Sequence, residues 1–228
     1  MANQTILVPL DRGSIGECAI PLAASLARTL RRRLRILHAI PPVIGGDSIR
    51  AEFKAAADRY LSRQREVIRE HHGISPLAVA RFGPAAPTIV EEVEREREAI
   101  SLIVMATSQR RGLLRQTLGS VAEEVIEGAP VPVVVVPAAH QRATERVPRV
   151  LLPIDGSACS VAILPPVAEL AKGLRADVSL LHVETADIFG TPCSVAAASA
   201  LTQAKAFMSR EESRPWSTVS KGALVPKS

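Results

Sequence analysis

Residues 5–40 read TILVPLDRGSIGECAIPLAASLARTLRRRLRILHAI, and this stretch decides the fold. Thr5–Leu10 is a short apolar run bounded by Pro9 and Asp11, the pattern of a buried strand. From Ser14 to about Leu30, the residues Ala19, Leu22, Ala23, Leu26 and Leu30 recur at helical spacing. Leu34–Ile40 is a second apolar run, stopped by Pro41 and Pro42, which have no backbone N–H to give a ladder. Strand, helix and strand at this length make a βαβ unit with parallel strands.

The same unit recurs later in the chain. Ile6–His38 lies over Val150–His182, 144 positions on, without a gap. Identical residues meet at Leu7/Leu151, Pro9/Pro153, Asp11/Asp155, Pro21/Pro165, Ala24/Ala168 and Leu26/Leu170. They meet again at Ala27/Ala171, Leu30/Leu174, Arg31/Arg175, Leu37/Leu181 and His38/His182. Most other strand pairs swap one aliphatic residue for another. The chain therefore opens two copies of one unit.

After the first βαβ unit comes a loop with Gly45 and Gly46, then a long polar helix, Arg50–His71. Leu77–Arg81 reads as a third strand and Thr88–Glu98 as a charged helix. Ile100–Ala106 is nearly all apolar, so it reads as a central strand buried on both faces. Thr107–Leu118 is a loop, Gly119–Glu127 a helix and Val131–Val136 a fifth strand. Alternating strands and helices imply a doubly wound α/β fold, a five-stranded parallel sheet in the order 3-2-1-4-5. Strand 1 then lies beside strand 4, where the winding reverses and ligands bind at the carboxyl ends. Those ends carry Asp11 and the Thr107–Leu118 loop. The expected organisation is a complete domain over residues 1–138, a polar linker over 139–148 and a truncated second copy over 149–228. In that copy, Arg149–Ile154 and Asp177–Val183 read as strands, Ser194–Glu212 as a helix, and Val219–Gly222 echoes strand 3.

Apolar residues make up 47% of the chain and aromatics only 3%, so aliphatic side chains must fill the cores. No apolar run approaches the roughly 20 residues of a membrane span. The sequence passes from Met1 straight into a strand-like run, so no signal peptide and no membrane partner are expected. Cys18, Cys159 and Cys193 are odd in number and form no Cys-x-x-Cys pair, which points to a reducing cytoplasm. Net charge is +5, with Arg31, Arg32, Arg33 and Arg35 contributing much of the excess. No aromatic residues interleave them as stacking platforms, so the reading preferred is helix closure rather than a nucleic-acid patch.

Several separated segments together resemble the universal stress protein family. They are Ile6–Asp11, the strand end Leu37–Ala39, the run Val104–Gln109 followed by Gly119–Val125, and Pro132–Pro137. The resemblance covers residues 1–138 and 149–183 and implies an adenine-nucleotide α-hydrolase-like fold. In the ATP-binding branch the loop reads Gly-x2-Gly-x9-Gly-Ser/Thr. Here the spacing is kept as Ala106, Gln109 and Gly119-Ser120, with two glycines replaced. Glycines let backbone N–H groups curl around phosphates, and a Gly-Ser at a helix start draws anions. Gln109 is the serious departure, because its side chain would fill phosphate space. By resemblance, Asp11 and Ala39 lie at the adenine–ribose end and Gln109, Gly119 and Ser120 at the phosphates, with Pro9, Ala106, Ser108, Arg110 and Val121 completing the nucleotide-binding set. The implied ligand is ATP or AMP, with Mg accompanying it. Asp11 also has a local reading, as the acid that precedes and caps the first helix.

Two readings stay open. In one, the protein is a stress-response sensor or carrier that binds an adenine nucleotide weakly, without significant catalysis. In the other, the loop has decayed and the protein is an interaction module. The resemblance further implies a homodimer through Val131–Val136, which would otherwise be an apolar edge. A Ser-Gly-Gly-x-Asp-Ser pyrophosphate loop is absent, since Asp11-Arg12-Gly13-Ser14 follows strand 1. A phospho-accepting receiver is excluded too, because Phe82-Gly83-Pro84 and Ala138-Ala139 stand where its Asp and Lys belong. His38 and His182 have no nucleophile or metal-ligand spacing nearby and read as packed strand histidines.

Overall fold

The computed structural model describes residues 4–107, 118–138, 149–155, 157–183, 202, 206 and 217–221. The chain divides into two compact units, residues 1–143 and 144–228.

The first unit holds β1 (Thr5–Pro9), α1 (Ser14–Glu17), α2 (Ile20–Thr29), β2 (Arg33–Ile40), α3 (Asp47–His72), β3 (Leu77–Phe82), α4 (Ala85–Arg95), β4 (Ile100–Thr107), α5 (Ser120–Gly128) and β5 (Val133–Pro137). All strand pairs are parallel, and the order is β3-β2-β1-β4-β5, as the alternating pattern predicts. In β1, Ile6, Leu7 and Val8 are wholly buried, because helices cover both faces of the sheet. On one face Leu7, Leu37 and Ile103 pack against Ile89 and Val93 of α4 and Val125 of α5. Each such aliphatic side chain contributes about 1.5–3 kcal/mol by leaving water.

The structure corrects several element bounds. The single helix expected from Ser14 to Leu30 is two, broken at Cys18–Ala19. Pro21 stands at the first positions of α2, where its missing N–H costs nothing; inside one long helix it would break the ladder. Helix α3 starts three residues before Arg50, at Asp47 behind Gly46. Helix α4 starts at Ala85 and ends at Arg95, displaced toward Pro84, which occupies its N-cap. Strand β5 starts at Val133; Pro132 before it has no N–H to donate, and only its carbonyl meets β4, accepting the Ile103 N–H at 3.0 Å.

A buried ionic cluster ties α4 to the sheet. Glu92 is wholly buried on the same helical face as Thr88, Ile89 and Val93. It meets Arg35 of β2 at 2.7 Å, Arg81 of β3 at 3.1 Å and Arg95 at 3.1 Å. Arg35 therefore sits in ion pairs, and Arg31, at φ 53°, closes the end of α2 with its N–H on the Arg28 carbonyl at 3.3 Å.

The second unit holds β6 (Arg149–Pro153), α6 (Ala158–Ala162), α7 (Leu164–Leu174), β7 (Asp177–Val183) and β8 (Ser217–Lys221). Its described strands are parallel, in the order β6-β7-β8. Local geometry repeats along with sequence. Leu10 N–H donates to Leu37 C=O at 2.8 Å, and Ile154 N–H donates to Leu181 C=O at 2.8 Å. Arg31 and Arg175 are both left-handed, at φ 53° and 52°. The helix expected at Ser194–Glu212 lies almost wholly outside the described residues, as does the linker 139–148.

Candidate functional site

A cavity of about 850 Å³ opens in the first unit, a size typical of small-ligand sites. It lies at the carboxyl ends of β1, β2 and β4, where the winding of the sheet reverses. Pro9, Asp11 and Ala39 line it from β1 and β2, and Ala106, Gly119, Ser120 and Val121 from β4 and α5. Ser108, Gln109 and Arg110 lie outside the described residues. Sequence reasoning did not pick out Arg12, Gly16, His38, Met105 or Glu123, which also line the cavity.

The β1 end is shaped around Asp11. Its Oδ1 accepts the Gly13 N–H at 2.9 Å, a turn made by the side chain itself. The carboxylate lies against the first turn of α1: a Cβ on Gly16 would stand 2.6 Å from Oδ1. Asp11 thus serves the local helix entry and faces the cavity as well. Arg12 follows at φ 67°, a left-handed conformation unusual for arginine.

The β4 side presents a helix N-terminus. Gly119 is the N-cap of α5, and among the described residues no side chain caps it. Its N–H donates to Thr107 Oγ1 at 3.1 Å, which fixes the helix start against the end of β4. The first-turn residues Ser120, Val121 and Ala122 all line the cavity. Their N–H groups and the helix dipole favour an anion there. Among the described lining residues, Asp11 and Glu123 bring carboxylates and Arg12 a guanidinium.

Between α1 and α3 lies a polar network beside the cavity. His38 Nδ1 is 2.7 Å from the Leu10 carbonyl, and its ring meets Tyr60 edge-on at 5.7 Å between centroids. Tyr60 and Gln64 both donate to Glu17 Oε1, at 3.3 and 2.6 Å. Burial, and after it the Glu17 charge, hold the Tyr60 hydroxyl above the ordinary phenol range. His38 is indeed a packed strand histidine, but one that also lines the cavity. The side chain of His182 lies outside the described residues.

The sequence profile described as the Universal stress protein family matches residues 2–137. The chain belongs to the universal stress protein family. A universal stress protein of Methanocaldococcus jannaschii is 28% identical over 138 residues, 58% of this chain and 80% of that protein. The crystal structure of a universal stress protein from Archaeoglobus fulgidus has a TM-score of 0.74 at 17% identity, covering 98% of this chain and 80% of its own. A universal stress protein solved in complex with cAMP has a TM-score of 0.48 at 21% identity, covering 60% of this chain and 98% of its own. Among the described residues of this universal stress protein, no helix is long and apolar enough to cross a membrane.

Proposed function

We propose that the cavity binds an adenine nucleotide, ATP or AMP, weakly, and that the protein acts as a sensor or carrier without significant catalysis in a cytoplasmic stress response. The observation that carries this reading is the cavity itself. It joins the β1 and β2 ends to the uncapped start of α5 at Gly119-Ser120, the element of the phosphate loop that the sequence retains. An anion fits that helix start. The neighbouring carboxylates of Asp11 and Glu123 limit its affinity, and Mg carried on the phosphates would offset them.

Calorimetric titration of ATP into the purified chain tests this reading, with Gly119→Val beside it. Binding by the wild type that Gly119→Val abolishes supports it. A silent wild type that gains affinity as Gln109→Gly refutes it and identifies a decayed loop. Phosphate release at many turnovers per second would overturn the non-catalytic part.

A second reading, an interaction module, is favoured by β5. That strand is the sheet's edge, all five residues of Val133–Pro137 are half-buried, and Val133 and Val135 pack inward. An apolar edge of this kind invites a partner strand, and a homodimer through it is part of this reading. The second unit is read as a repeat of the opening of the first, on the shared strand order β6-β7-β8 and the shared left-handed arginines.

A further inference from the structure

We infer that His38 is a specificity residue of the cavity, whose Nε2 accepts a hydrogen bond from an N–H or O–H donor on the bound nucleoside. This inference rests on the adenine-nucleotide reading and deepens it.

The argument starts from the other ring nitrogen. Nδ1 lies 2.7 Å from the Leu10 carbonyl oxygen. A carbonyl only accepts, so Nδ1 carries the hydrogen. In the neutral ring Nε2 is then a bare lone pair. The two nitrogens point in nearly opposite directions across the ring, so the bond to Leu10 turns Nε2 away from that carbonyl. His38 is only 6% exposed, yet it lines the cavity. Among the described residues, the Leu10 bond is the ring's one hydrogen bond. Nε2 is therefore the unbonded acceptor of a side chain that is buried and belongs to a residue lining the cavity.

The acceptor is also held in place. Tyr60 meets the ring edge-on at 5.7 Å, and Tyr60 is held by Glu17, which Gln64 holds in turn. An acceptor fixed before binding costs a ligand no ordering. A fixed lone pair also discriminates by sign: it bonds a donor and repels an acceptor. Adenosine offers two kinds of donor to such a group, the 6-amine and the ribose hydroxyls.

Calorimetry on the full chain, at one fixed pH throughout, separates the outcomes. The probes are ATP, purine riboside triphosphate, which lacks the 6-amine, and 2′-deoxy and 3′-deoxy ATP. The wild type is expected to bind one of the three analogues about tenfold more weakly than ATP, the loss of a single hydrogen bond. Which analogue weakens identifies the donor. His38→Asn places an amide N–H where Nδ1–H was, so it keeps the Leu10 bond while removing Nε2. It should melt close to the wild type, bind ATP about tenfold more weakly, and lose the discrimination.

Equal affinity of the wild type for ATP and all three analogues would overturn the inference without recourse to any variant. So would an undiminished ATP affinity in His38→Asn, which would leave His38 as a strand staple only. Silence of the wild type toward all four nucleotides would overturn the nucleotide reading itself, and this inference with it.

Discussion

Glu92→Ala removes a carboxylate that no solvent reaches, and the cost depends on which arginine is left behind. Arg81 and Arg95 have side chains 43% and 51% exposed, so both turn to water when Glu92 goes. Each of those pairs is worth about 0–1 kcal/mol. Arg35 is different: its side chain is 12% exposed, and its Nε is buried with no partner among the described residues. Glu96, at 3.4 Å, is its remaining partner and is itself 37% exposed. Orphaning a buried charge costs about 3–5 kcal/mol. With Glu96 still in reach the lower figure applies, about 3 kcal/mol. For a unit of this size that lowers the melting temperature by about 9 °C. Differential scanning calorimetry of the full chain reads the shift, with Arg81→Ala expected to move it by about 3 °C at most. The double change Arg35→Met with Glu92→Leu should recover much of the loss, since no charge is then buried. A Glu92→Ala loss no larger than that of Arg81→Ala would refute the reasoning, because Arg35 would then have found water.

Two further outcomes follow from the turns after β1 and β6. Gly16→Ala puts a methyl 2.6 Å from Asp11 Oδ1 and must displace the carboxylate from the Gly13 N–H. ATP affinity should fall about tenfold, with stability changed by about 1 kcal/mol or less, and an unchanged dissociation constant would separate Asp11 from the ligand. Asp155 accepts the Ser157 N–H at 2.9 Å, and that bond, helped by the Ser157 and Ser160 side chains, lowers its pKa to about 2 from 3.8. A lowered carboxylate stabilises the fold above the ordinary value. This contribution is therefore complete above pH 3.8 and is lost as pH falls through about 2. Carbon-detected NMR titration should find the low midpoint, and Ser157→Ala should move it upward while the backbone bond remains.

The sheet order was legible because strand periodicity and a gapless internal match agree on the same unit. The break between α1 and α2 was less so: apolar spacing runs straight across Cys18–Ala19, and only Pro21 marks the start of a new helix. The cavity positions Pro9, Asp11, Ala39 and Gly119 were readable, since they lie at or next to the ends of elements. His38 was readable as a packed residue and missed as a lining one, because burial in a strand and exposure to a cavity leave the same mark on a sequence. Glu92 was hidden among Glu91, Glu94, Glu96 and Glu98. Its spacing from Thr88 and Ile89 puts it on the apolar face, a signal that charge counting overlooks.

Helix α3 runs for 26 residues, about 39 Å at 1.5 Å per residue. Its buried residues, Ala57, Leu61, Gln64 and Ile68, all lie beyond its first ten positions. Those ten positions bury nothing, yet they include Phe53, which lines the cavity. The helix is therefore anchored like a plank nailed at one end, with the loose end over the opening. Local unwinding there breaks few apolar contacts, so its free energy lies far below that of global unfolding. A ligand that needs Phe53 in place gives up part of its binding energy to hold that end down. Amide hydrogens of the first turns of α3 would then exchange more slowly when the cavity is filled, and the helix would serve as its own gauge of occupancy.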